Sequence, residues 1–218
     1  MKSWILIITL GTAFSFSSRL VHGQDLPYIS AKLVDDKYEK TIRSLVLVYD
    51  TVIDLNPYSE KSIIQLYIER KSEPENWLKA VLRVGSYYSF LDMGTDPAVE
   101  IKNILGSNND KEIIINTGFY IDIGGNDINL IIRTFKNLPF TITELPTSMG
   151  GFYTGEHWTG NLSRTIVSEI RKKGGMIYIF SGGFENNRCY YDFRAIYPSG
   201  KGLKKSEQIA KRKVECAG

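Results

Sequence analysis

Between residues 111 and 145 four β-rich runs follow one another, and none of the gaps between them has room for a helix. The runs cover 111–117, 120–123, 128–135 and 140–145, and Asn108-Asn109, Gly124-Gly125 and Asn137 punctuate them. Parallel neighbours need a crossover of about a dozen residues or more, so connections this short require antiparallel pairing. Gly124-Gly125-Asn126-Asp127 reads as a hairpin turn. Further strands are expected at 62–70, across the ambiguous 77–90 stretch, and at 176–180 and 188–197, the last two paired across a turn at 182–187.

Helical spacing is read at four places. From 31 to 55, Val34, Tyr38, Ile42, Leu45, Tyr49 and Val52 recur at steps of three and four, with Ser30 as cap. β-Branched residues after Leu45 suggest that this helix ends early, and Asn56-Pro57 stops it. Asp96, Pro97 and Gly106 bracket a short middle helix. Residues 161–173 form a helix with Leu162, Ile166, Val167 and Ile170 inward and Gly174-Gly175 as its stop. A last helix is read at 206–214. The expected fold is therefore α+β: one domain over 24–218, with a mainly antiparallel sheet and four helices packed on it.

The first 23 residues have the three-part pattern of a cleaved secretory signal. Lys2 supplies the positive start, the stretch from 4 to 16 is largely apolar, and Val21 and Gly23 are small residues placed for a cut before Gln24. The apolar stretch is shorter than the roughly 20 residues of a membrane span, and nothing later reaches that length. Loss of Lys2 and Arg19 leaves 25 basic residues against 24 acidic ones, too balanced for a general nucleic-acid binder. An exported chain with two cysteines, Cys189 and Cys216, favours a disulfide, which the chain-entropy model values at roughly 3–4 kcal/mol for such a loop. Asn161-Leu162-Ser163 is an N-glycosylation triplet.

After cleavage His157 is the single histidine, so no multi-histidine zinc site forms within one chain, and neither a metal nor a cofactor is expected. No HExxH, GxSxG, GxxxxGK[ST] or EF-hand pattern occurs. The segment 149–160, MGGFYTGEHWTG, places Tyr153, His157 and Trp158 among glycines ahead of a helix, an arrangement suited to a sugar or small anion. Asp122 and Asp127 flank the Gly124-Gly125 turn, and with Glu156 they are the carboxylates available for acid–base work beside His157. Lys204, Lys205, Lys211, Arg212 and Lys213 would form a basic surface on the last helix.

Three functions follow as expectations. The first is a secreted binding or interaction protein whose partner is an extracellular protein, a glycan or a small anion. The second is a secreted hydrolase using Asp122, Asp127 or Glu156 with His157. The third is a membrane-active toxin, for which the 128–135 run is short of the roughly 9–11 alternating residues of a spanning strand.

Overall fold

The structure, a computed structural model, describes residues 23–55, 61–70, 78–106, 110–119, 126–136, 138–147, 152–153, 164–185 and 188–214. A leading segment supplies β1 (Gln24–Asp25), β2 (Tyr28–Ser30) and β3 (Lys32–Leu33), and α1 (Asp36–Ile42) follows. Three antiparallel meanders come next. The first is β4 (Leu45–Ile53), β5 (Ser62–Glu69), β6 (Leu78–Val84) and β7 (Tyr87–Met93). The second is β8 (Thr95–Lys102), β9 (Glu112–Phe119), β10 (Asn126–Phe135) and β11 (Leu138–Thr147). The third is β12 (Phe152–Tyr153), α2 (Arg164–Lys172), β13 (Met176–Glu185), β14 (Arg188–Ser199) and β15 (Gly202–Val214).

Each meander makes one sheet, and the leading segment adds a fifth strand to each of them. β3 pairs with β7 in the N-terminal sheet, β2 with β11 in the middle sheet and β1 with β15 in the C-terminal sheet. Backbone bonds continue these pairings between strands: Leu26 N–H donates to Leu203, Ala31 to Phe140 and Val34 to Ser86. Ten residues of extended chain thus lie against the last strand of all three sheets.

The side chains stack these elements as α1, N-terminal sheet, middle sheet, C-terminal sheet and α2. Ile113, Ile115, Leu130, Ile132, Phe140 and Ile142 on one face of the middle sheet pack with Ile64, Leu66, Leu82 and Met93 of the N-terminal sheet. On its other face, Ile131 and Leu145 pack with Met176, Tyr178, Ile196 and Leu203 of the C-terminal sheet. Ile113, Ile114 and Ile115 are all fully buried, which is why this strand reads as an unbroken apolar run instead of alternating. The outer face of the N-terminal sheet is closed by Tyr38 of α1 against Val81 and Tyr88. The outer face of the C-terminal sheet is closed by Ile170, with Ile166 and Val167, of α2.

The four-helix α+β layout is overturned: the chain is mostly strand, with two helices among the described residues. The 31–55 helix shrinks to α1, capped by Asp35, whose Oδ1 accepts from Tyr38 N–H at 2.9 Å, and not by Ser30. Its second half is β4, consistent with the β-branched residues there. The middle helix is strand β8, an edge strand, where Pro97 falls at a register shift between Thr95 and Ala98 and withholds no ladder donor. The C-terminal helix is β15. Its Lys, Glu, Gln and Ala content favours helix locally, but its ladder with β14 outweighs that propensity. The helix near 161–173 is present as α2, and the 176–180 and 188–197 strands are present and paired.

Candidate functional site

After Lys102 the chain leaves the edge of the middle sheet and turns through Asn103–Gly106. A buried carboxylate fixes that turn. Glu112, opposite Lys102 in the ladder and 4% exposed, accepts from Ile104 N–H at 2.9 Å and Leu105 N–H at 3.3 Å through Oε2. Gly106, at φ +70°, donates its N–H to Asn103 Oδ1 at 2.7 Å. Leu105 enters the core between the middle and C-terminal sheets, while Ile104 stays half-buried. Burial raises the Glu112 pKa from its ordinary value, and the two backbone donors and the Arg133 charge oppose that rise. Arg133 is anchored by donating to the carbonyls of Gly200 at 3.1 Å and Gly202 at 2.6 Å.

Facing this turn is the C-terminal end of α2. Gly174, at φ +70°, donates to the Arg171 carbonyl and Gly175 to the Ile170 carbonyl, both at 2.9 Å. That pair of bonds is a Schellman motif, which satisfies the last carbonyls and turns the chain into β13. Gly175 has no room for a side chain, because a Cβ there would lie 2.5 Å from the ring of buried Tyr197.

Between the turn, the end of α2 and the start of β13 lies a cleft of about 460 Å³. That is within the roughly 300–1,000 Å³ of small-molecule sites. Its wall is apolar at Ile104, Val167, Ile170, Met176 and Ile177, and its charged lining residues are Lys102 and Arg171. Lys102 is paired with Glu100, and the Lys102 side chain stays mostly exposed while that of Glu100 is half-buried.

A second polar locus lies between the middle and C-terminal sheets. The Tyr178 hydroxyl accepts from Asn129 Nδ2 at 2.8 Å and donates to the Leu145 carbonyl at 3.0 Å. Asn116, directly opposite Asn129 on β9, has a buried Oδ1 with no hydrogen-bond partner among the described residues. On β14, Arg194 grips Asp192 through Nε at 2.8 Å and Nη2 at 2.7 Å.

Of the residues singled out from sequence, Asp122, Glu156, His157, Trp158, Asn161 and Cys216 lie outside the described residues. Asp127 is on β10, its backbone opposite Thr147 of β11. Tyr153 is on β12, paired with Ile177. Cys189 is on β14 opposite Val214. The cations of the C-terminal segment sit on a strand and alternate between its faces. Lys204 stands opposite Tyr197 and Lys205 opposite Ile196, while Lys211 faces Asp192, Lys213 faces Tyr190 and Arg212 faces Tyr191. Asp25 lies across from Lys204 on the other side. The helix expected from sequence is therefore a strand, with acids registered against two of its cations. The 128–135 run extends to ten residues as β10, in which Leu130, Ile131 and Ile132 are all buried.

Sequence reasoning missed the cleft. Its signals are Gly106 and Gly174-Gly175, whose local pattern reads only as helix stops, and Glu112, a carboxylate leading an isoleucine run. No family model, curated protein or solved structure matches this chain.

Proposed function

We propose that the chain is an exported binding protein that takes a small ligand in the cleft between the Asn103–Gly106 turn, α2 and β13. The observation that carries this reading is the cleft itself. It combines an apolar wall with two cationic side chains, and its turn is held by three hydrogen bonds from backbone N–H groups to Glu112 and Asn103. Such a turn is pre-organised, so a ligand meets a formed wall with little ordering cost. Export through a cleaved signal, a Cys189–Cys216 disulfide and glycosylation at Asn161 belong to the same proposal. The ladder supports the disulfide, since it places Val214 opposite Cys189, two residues before Cys216.

The test is thermal unfolding of the secreted protein against organic anions, neutral and sulfated glycans, nucleotides, lipids and divalent metals. A ligand at a hundredfold over its Kd stabilises by about 2.7 kcal/mol. For a domain of this size that is a Tm rise of roughly 5–11 °C. A rise that disappears when Val167→Trp fills the cleft supports the reading. A rise that survives that change, or no rise with any ligand, overturns it.

A further inference from the structure

We infer that the cleft selects an amphiphilic anion: a carboxylate or similar headgroup at the Lys102–Arg171 rim, with an aliphatic body laid over Ile104, Val167 and Met176. This rests on the binding reading above and adds the ligand's chemistry to it.

Both halves of the ligand are specified by the lining. Among the described residues the charged side chains lining the cleft are both cations. Asn103 has committed its Oδ1 to Gly106 N–H, so its amide faces any new partner as a donor. Glu100, which pairs with Lys102, is outside the lining and half in solvent, where a surface ion pair competes weakly with a ligand carboxylate. The rest of the wall is aliphatic: Ile170, Met176 and Ile177 are buried at its floor, and Ile104 and Val167 are half-buried at its sides. A small hydrophilic anion would leave that wall wet, and a neutral hydrocarbon would bring no charge to complement the two cations.

The negative pole of α2 points this way, and an anion would ordinarily avoid it. Here the carbonyls of Glu169, Ile170 and Arg171 are taken by the N–H groups of Lys173, Gly175 and Gly174. Arg171 and Lys172 add positive charge in the same turn. The helix end is thereby offset before a ligand arrives.

The experiment is isothermal titration of the secreted protein with decanoate, acetate, decanol and decylammonium at neutral pH. Decanoate is expected to bind one to one, with each of the other three at least tenfold weaker. Lys102→Gln/Arg171→Gln alters two exposed positions, so it should still unfold in one cooperative transition while its decanoate affinity falls at least tenfold. Raised salt should weaken decanoate in the parent and not in that variant. Equal binding of decanoate and decanol would overturn the anion claim while leaving a ligand cleft in place. Decanoate binding untouched by the double variant and by Val167→Trp would overturn the site. If the thermal panel finds a ligand blocked by Val167→Trp and decanoate does not bind, the amphiphile class is wrong and the binding reading stands. If neither finds a ligand, both fall.

Discussion

Replacing Tyr178 by Phe should cost about 2 kcal/mol, a value set by the bonds its hydroxyl makes between two sheets. Tyr178 is fully buried on β13 of the C-terminal sheet. Its hydroxyl reaches the middle sheet twice, accepting from Asn129 Nδ2 at 2.8 Å and donating to the Leu145 carbonyl at 3.0 Å. The phenylalanine ring fills the same space, so packing is nearly conserved and the change isolates the two bonds. A buried polar group that loses its partner costs about 1–3 kcal/mol. Asn129 and the Leu145 carbonyl each retain other bonding capacity, which places the sum near 2 kcal/mol instead of at twice the single-group value. Urea unfolding followed by circular dichroism measures it, with an unchanged m value confirming that stability alone has moved. At roughly 2–4 °C per kcal/mol, the Tm should fall about 4–8 °C. Asn129→Leu in the same background completes a double-mutant cycle, and contact between the two side chains requires a coupling of at least about 0.5 kcal/mol. A Tyr178→Phe loss below that value, with strictly additive double-mutant behaviour, would refute the clamp between the sheets.

Three further outcomes test the rest of the structure. Glu112→Gln keeps an acceptor for Ile104 and Leu105 N–H and removes the ionisable group. Because burial raises the Glu112 pKa, the folded state holds the proton more tightly than the unfolded one. The parent should therefore lose stability as pH rises from the ordinary value near 4.5 through the raised folded value, and the Gln variant should lose less over that window in urea titrations. Glu112→Ala orphans two backbone donors and should cost about 2–5 kcal/mol in the same assay. Gly175→Ala drives a Cβ to 2.5 Å from the Tyr197 ring, and calorimetry should find it destabilised by about 1–3 kcal/mol, as overpacked sites are.

The antiparallel character of the sheet was legible because turn signals leave no length for crossovers between 111 and 145, and the structure pairs β9 with β10 and β10 with β11. The helix over 164–172 was legible from its inward Ile166, Val167 and Ile170 and its paired glycines. The overturned helices share one physical cause. The segments that follow Pro97 and that cover 206–214 carry genuine local helix signals, but each pairs with a neighbouring strand, β9 or β14, and Gly106 closes the turn after β8 instead of a helix. Local preference of a few tenths of a kcal/mol per residue does not survive that competition. The cleft was illegible for another reason. It is assembled from residues about 65 positions apart in sequence, such as Lys102 and Val167, and nothing in either local pattern shows that they meet.

The layering explains why the cleft is where it is. A middle sheet covered on both faces must spend its central strands on isoleucine and leucine, as 113–115 and 130–132 do. The outer faces of the flanking sheets are in turn occupied by α1 and α2. Apart from the Asn129–Tyr178 pair between the sheets, this leaves the strand ends and edge strands as places where polar groups can face a ligand. β8 is such an edge, and its exit turn meets the end of α2 without belonging to any of the stacked layers. That turn can change sequence without disturbing a core, provided that Glu112 still holds its backbone and Leu105 still enters the interior. Ligand specificity on this scaffold should accordingly be adjustable at Lys102, Asn103 and Arg171, while substitutions at Glu112 or Leu105 should be read first as losses of fold. Swapping Lys102 and Arg171 to Glu should invert the preference from decanoate to decylammonium, at some loss of Tm from the Glu100 repulsion and the negative charge placed at the end of α2. Failure to invert in a variant that still unfolds cooperatively would mean that the cleft's charge does not govern what it binds.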